Sequence, residues 1–111
     1  MKYDYFVAAR FRNKEEAARL TNLLRKAGKS VYFFAESRAS IQHVGALDGD
    51  GEQSMKTFEA IGDWRHHAGV REVFETDMNA LRDSKALILL LPAGKSAHME
   101  AGVAYGMGKK T

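Results

Sequence analysis

Two carboxylates and one short loop hold most of the chemistry that this chain could perform. Glu100 follows Gly94-Lys95-Ser96-Ala97-His98-Met99, a segment that leads from an aliphatic run into a helical pattern. Such a junction presents free backbone N–H groups at the positive end of a helix dipole, and Lys95 adds charge, so a phosphate could sit there. Ser96 is expected to cap the helix, either for that purpose alone or with its hydroxyl on the anion. The same dipole is expected to keep Glu100 ionised, with a lowered pKa, as a nucleophilic carboxylate requires. Asp77 supplies the second carboxylate. At about 3.6 residues per turn it falls inside the apolar stripe of Val70, Val73, Phe74 and Leu81. A core-facing carboxylate is costly. Asp77 is therefore either paired inside the fold or placed in a pocket, where burial would raise its pKa and let it hold or donate a proton.

Other motifs are weaker. Ala93-Gly94-Lys95-Ser96 is similar to the end of a phosphate-binding P-loop, but Leu89 stands where that loop needs its first glycine. The acidic, glycine-rich run from Asp48 to Glu52 lacks the ligand spacing of a calcium-binding EF-hand. His66 and His67 would project about 100° apart on a helix and do not form the i, i+4 pair of a helical zinc site. His98 can touch a substrate or simply begin a helix. Tyr5, Phe6 and Phe11 can stack on a base or fill a core. No metal and no cofactor is expected.

The elements that must position these residues are legible from hydrophobic periodicity. Tyr3 to Ala9 reads as a strand, and Asn13 with Glu16 as the capping start of a helix carrying Ala17, Leu20, Leu24 and Ala27, stopped by Gly28. Ser30 to Phe34 reads as a second strand. Ala35 to Gln53 loses periodicity and reads as a long loop, a lid or a disordered segment. Ser54 can cap a helix bearing Met55, Phe58, Ile61 and Trp64, and a second helix over Val70 to Arg82 meets it near Gly69. Ala86 to Leu91 reads as a strand buried on both faces, and Pro92 to Lys95 turns the chain into a last helix from about Ala97. A further strand would normally begin where Lys109-Lys110-Thr111 ends the chain.

The order β-α-β-loop-α-α-β-α predicts one α/β domain over 1–111. It would be a small doubly wound, Rossmann- or flavodoxin-like three-layer sandwich with a parallel sheet and a ligand beyond the carboxyl ends of its strands. A length of 111 residues with 45% hydrophobic content suits a single core. The absence of cysteine excludes a disulfide framework, a thiolate metal site and a Cys nucleophile, and suits a reducing compartment. Neither a signal peptide nor a membrane span is visible, so a cytoplasmic location and no membrane partner are expected. The net charge of +3 is spread along the chain rather than gathered into a stripe, which favours a small anion over a nucleic acid polymer.

Three blocks together resemble the nucleoside 2-deoxyribosyltransferase family and its relatives that cleave nucleoside 5′-monophosphates. They are Tyr5-Phe6-Val7-Ala8-Ala9-Arg10-Phe11, Thr76-Asp77-Met78-Asn79-Ala80-Leu81, and Met99-Glu100-Ala101-Gly102-Val103-Ala104 with Gly108-Lys109 after it. The resemblance implies N-glycosidic cleavage or transfer on a nucleoside or nucleotide through a glycosyl-enzyme intermediate. Glu100 would be the nucleophile and Asp77 the substrate-holding or proton-handling acid. Tyr5 or Phe11 would contact the base, with Ala8 beside them, and Gly94, Lys95, Ser96 and His98 would complete the substrate site. Basic and hydroxyl groups at 94–96, where the transferases carry an acid, favour a 5′-phosphate and hydrolysis. The resemblance also implies a homodimer or larger homo-oligomer. The alternative is a non-catalytic module that senses a nucleotide or dinucleotide with the same cleft.

Overall fold

The structure is a computed structural model, and it describes residues 1–37 and 68–111. Its elements are β1 (Tyr3–Ala8), α1 (Lys14–Lys26), β2 (Val31–Phe33), α2 (Ala68–Arg82), β3 (Ser84–Leu89) and α3 (Lys95–Gly106), with single 3₁₀ turns at Phe11–Asn13 and Phe34–Glu36. The helix expected from Ser54, most of the loop expected over 35–53, and His66 and His67 lie outside the described residues.

All strand pairing is parallel, and the sheet order is β2-β1-β3. β1 is the divider. Its Phe6, Val7 and Ala8 are wholly buried, and their alternation sends them to opposite faces. Val7 and Ala9 join Phe11, Ala17, Val31 and Phe33 under α1, while Phe6 and Ala8 join Tyr32, Met78, Leu81, Leu87, Ala97 and Ala104 under α2 and α3. Helices thus cover both faces of a parallel sheet, the doubly wound α/β arrangement of a small Rossmann-like fold.

Local chemistry explains the helix limits. α1 carries Glu15 and Glu16 in its first turn and Arg25 and Lys26 in its last, each favourable to the helix dipole. It ends in a Schellman motif at Gly28, whose φ is +84°, with Gly28 N–H donating to Arg25 O and Lys29 N–H to Leu24 O. α3 ends the same way at Gly108, with Lys109 N–H donating to Ala104 O at 3.0 Å. That turn brings Lys110 beside β3, where its carbonyl accepts from Leu87 N–H at 2.8 Å.

Three local expectations need correction. Asn13 precedes α1, but its side chain makes no capping bond; the amide instead donates to the Pro92 carbonyl at 2.7 Å. Gly69 is buried inside α2, a helical residue rather than the junction of two helices. β3 spans Ser84–Leu89 rather than 86–91 and is not buried on both faces: Lys85 is exposed, Ile88 and Leu89 are half-buried, and Leu91 is 65% exposed beyond the strand. β3 stands at the edge of the described sheet, and the chain leaves it early to turn at Pro92.

Candidate active site

The chain runs from β1 to β2 on one side of the sheet and then returns past β1 to β3, so the strand order reverses at β1. Ligand crevices in such sheets open beyond the carboxyl ends of the strands that flank the reversal. Here the walls are the segments after β1 and after β3, and they are tied together. Leu90 N–H donates to Ala8 O at 2.9 Å, and the Asn13 amide reaches Pro92 O. Arg10 is exposed with its Cβ beside Gly94, 3.8 Å from where a Cβ on that glycine would lie.

Gly94, in extended backbone at φ −93° and ψ −170°, is the cap of α3, and Lys95 is the first helical residue. Ser96 therefore does not cap the helix as expected; it is the second residue within it. Gly94 takes the cap conformation without a side-chain bond, which starts the helix two residues earlier. The first intrahelical bond runs from His98 N–H to Gly94 O, so the N–H groups of Lys95, Ser96 and Ala97 face out of the helix start without helical partners. The His98 ring folds back, with Nδ1 2.9 Å from the Gly94 carbonyl. Lys95, Ser96 and His98 are exposed at the helix start, and Gly94 is half-buried.

Glu100 lies deeper, as the sixth residue of α3. It belongs to the buried stripe Ala97, Glu100, Ala104 and is 9% exposed. Ser96 and Glu100 are four residues apart and so stand on the same helix face, roughly 6 Å apart along the axis. The expectation that the helix dipole lowers the pKa of Glu100 is overturned. The dipole acts within about the first turn, whereas burial and then the charge of Asp77 push the Glu100 carboxyl up to about 8. Removal from water outweighs the distant dipole.

Asp77 meets Glu100 from α2, and its expected inward position is what the structure has. It is partly buried, and burial pushes its carboxyl up to about 6. The opposing influence is a hydrogen bond from Tyr32, whose hydroxyl donates to Oδ1 at 2.7 Å and favours the anion. The Tyr32 hydroxyl is itself held strongly protonated by burial and by the Asp77 charge. Burial thus favours the protonated form of both carboxyls, and of the two Asp77 is the one given a phenol donor that favours its anion.

The residues expected at the site separate into three groups. Asp77, Glu100 and Ala8 come together on the face covered by α2 and α3. Gly94, Lys95, Ser96 and His98 form the first turn above them. Tyr5 and Phe11 are not brought to either. Tyr5 packs on the α1 side with Val7, and Phe11 is buried there, its ring 6.1 Å from that of Phe34 and covered by Lys14. The strand's period of two puts Tyr5 and Ala8 on opposite faces, and Phe11 is drawn into the core because its turn packs beneath α1.

Tyr32, Arg10 and the Asn13 tether were not anticipated. A tyrosine in an otherwise apolar strand was the available signal for Tyr32, because a buried phenol needs a hydrogen-bond partner. Among the described residues no cluster of three or more His, Asp or Glu side chains is placed to hold a metal ion, and no helix is long and apolar enough to cross a membrane. No family model, curated protein or solved structure matches the chain, so what this site resembles rests on its own residues.

Proposed function

We propose that the chain hydrolyses the N-glycosidic bond of a nucleoside 5′-monophosphate, with the sugar carried transiently on Glu100. The observation that carries this reading is the pair of buried acids Asp77 and Glu100, whose carboxyls are both pushed up by burial, one turn below a helix start whose first N–H groups lack helical partners. A retaining glycosidase needs one carboxylate and one carboxylic acid at the same site, and a one-proton pair supplies both. The phosphate would take the N–H groups of Lys95, Ser96 and Ala97, the Ser96 hydroxyl and the charges of Lys95 and Arg10. The axial rise from Ser96 to Glu100 is comparable with the reach of a ribose 5-phosphate from phosphorus to its anomeric carbon.

The resting pair has its proton on the wrong partner for attack, and the chemistry has to move it. Positive charge growing at C1′ favours ionised Glu100, so its proton passes to Asp77 as a Glu100 oxygen closes on C1′. The C1′–N bond breaks with its electron pair on the base, and Asp77 delivers the proton to the departing nitrogen. Water then attacks C1′ and gives a proton to Asp77, while the bond to Glu100 breaks and its electrons return to the carboxylate. The proton falls back to Glu100, and the cycle closes. A second free base in place of water would give transfer. This reading carries with it a cytoplasmic nucleotide pool and an assembly of copies, the latter checked by sedimentation.

The test is incubation with a panel of nucleosides and their 5′-monophosphates, with free base followed by chromatography. Glu100→Ala is expected to lower base release by roughly a thousandfold or more. Ser96→Ala is expected to weaken turnover of monophosphates more than that of nucleosides. If no substrate releases base while nucleotides still bind, the sensing module is the correct reading instead.

A further inference from the structure

We propose that Tyr32 is a positioning residue that decides which carboxyl of the pair carries the proton, holding Asp77 as the anion and leaving the proton on Glu100. The proposal rests on the functional reading above for its purpose but not for its geometry.

Tyr32 sits in β2 opposite Phe6 of β1, and its ring is fixed from two sides. It stacks on Phe6 at 5.1 Å between ring centres and meets the edge of Tyr3 at 5.5 Å. These contacts leave the hydroxyl little freedom, and it spans to α2, where Asp77 Oδ1 lies at 2.7 Å. The Ser37 side chain hydrogen-bonds the same phenol oxygen and favours its negative end, which leaves the phenol proton for Asp77. The groups facing Asp77 are thus Tyr32 from β2, backed by Ser37 after that strand and Tyr3 from β1, and Glu100 from α3.

The two acids differ in what holds their anions. Both are withdrawn from water, but Asp77 receives a phenol donor, and Glu100 instead faces the Asp77 charge. The Tyr32 hydroxyl therefore widens the difference between the two carboxyls by favouring the anion of Asp77 alone. It keeps the nucleophile capped by a proton in the free protein, and a substrate that develops positive charge at its anomeric carbon is what uncaps it. A chain without that hydroxyl would share the proton more evenly and over a narrower pH interval, the repulsion between the two charges alone then keeping the two steps apart.

The experiment is a carboxyl carbon NMR titration of Asp77 and Glu100 in the wild-type chain and in Tyr32→Phe, which keeps both ring contacts. Loss of a hydrogen bond to a charged group is expected to raise the Asp77 midpoint by about one pH unit. The Glu100 carboxyl is then expected to carry less of the single proton. An unchanged or lowered Asp77 midpoint in a folded Tyr32→Phe would overturn the proposal. Should that variant not fold, the Cζ resonance of Tyr32 in the wild-type chain decides the matter: an inflection at the Asp77 midpoint is expected, and its absence refutes the assignment. Base release measured on the same samples separates the two readings. Shifted midpoints with no base release from either protein leave Tyr32 in its role and remove the glycosidase; base release with unshifted midpoints does the reverse.

Discussion

Replacing Glu100 by glutamine should make the protein more stable, and increasingly so as the pH rises. Only the burial of Glu100 and the charge of Asp77 are needed to see why. A carboxyl moved from an ordinary 4.5 to about 8 on folding binds its proton more tightly in the native state than in the unfolded chain. Its contribution to stability is fully present below about pH 4.5 and is lost as the pH rises to about 8, because over that interval the folded state holds the extra proton. Each pH unit is worth about 1.4 kcal/mol, so complete ionisation costs on the order of 5 kcal/mol, an amount that water entering around the new charge reduces to several kcal/mol. Glutamine has the shape of the protonated acid and never ionises. Urea unfolding at pH 5, 7 and 9 should therefore show near-equal stability for the two proteins at pH 5 and an advantage for Glu100→Gln of several kcal/mol at pH 9. A constant difference across the three pH values would refute this expectation, since it would mean that Glu100 titrates alike in the folded and unfolded chains.

Other outcomes follow from the same geometry. Base release should depend on pH as a bell with limbs near 6 and 8, because the one-proton pair is lost by protonation below the first and by ionisation above the second; steady-state rates across pH 5 to 9 check it. Phe11→Ala should cost about 3–4 kcal/mol in urea unfolding, as a buried ring in the α1-side core. It should not selectively raise KM for any one base. Asn13→Ala, which cuts the tie to Pro92, should cost about 1 kcal/mol and speed amide exchange at 94–97, read by hydrogen-exchange mass spectrometry. Gly28→Ala should cost about 1 kcal/mol, since φ there is +84°.

What could be read from the sequence is what local spacing encodes. The stripe of Ala17, Leu20 and Leu24 and the left-handed Gly28 are properties of neighbours along the chain and stand in the structure as expected, while Ala27 is exposed as the cap that ends the helix. The inward position of Asp77 was legible for the same reason, although Phe74 of the expected stripe is 52% exposed and the buried face runs through Met78 and Leu81. The protonation of Glu100 was not legible. A helix start is visible in the sequence and argues for a low pKa, but the burial and the Asp77 charge that reverse it arise only when α3 is packed in the fold. Tyr32 was hidden in the same way: its partner is 45 residues distant, and only packing brings the two together. Ser96 was misplaced by two residues because glycine can enter the cap conformation and needs no side-chain oxygen to do so. Tyr5 is different, since the period of two that separates it from Ala8 was already in the strand.

That division of β1 matters for how this chain can change. Side chains on its two faces belong to separate layers: Phe6 and Ala8 look toward the acids, and Val7 and Ala9 toward α1. Substitutions without shared partners combine additively to within about 0.5 kcal/mol. The layer of Phe11, Ala17, Val31 and Phe33 can therefore be repacked to raise stability while the protonation of the acids stays as it is. An engineer, or natural drift, can offset the destabilising burial of Asp77 and Glu100 from behind the sheet.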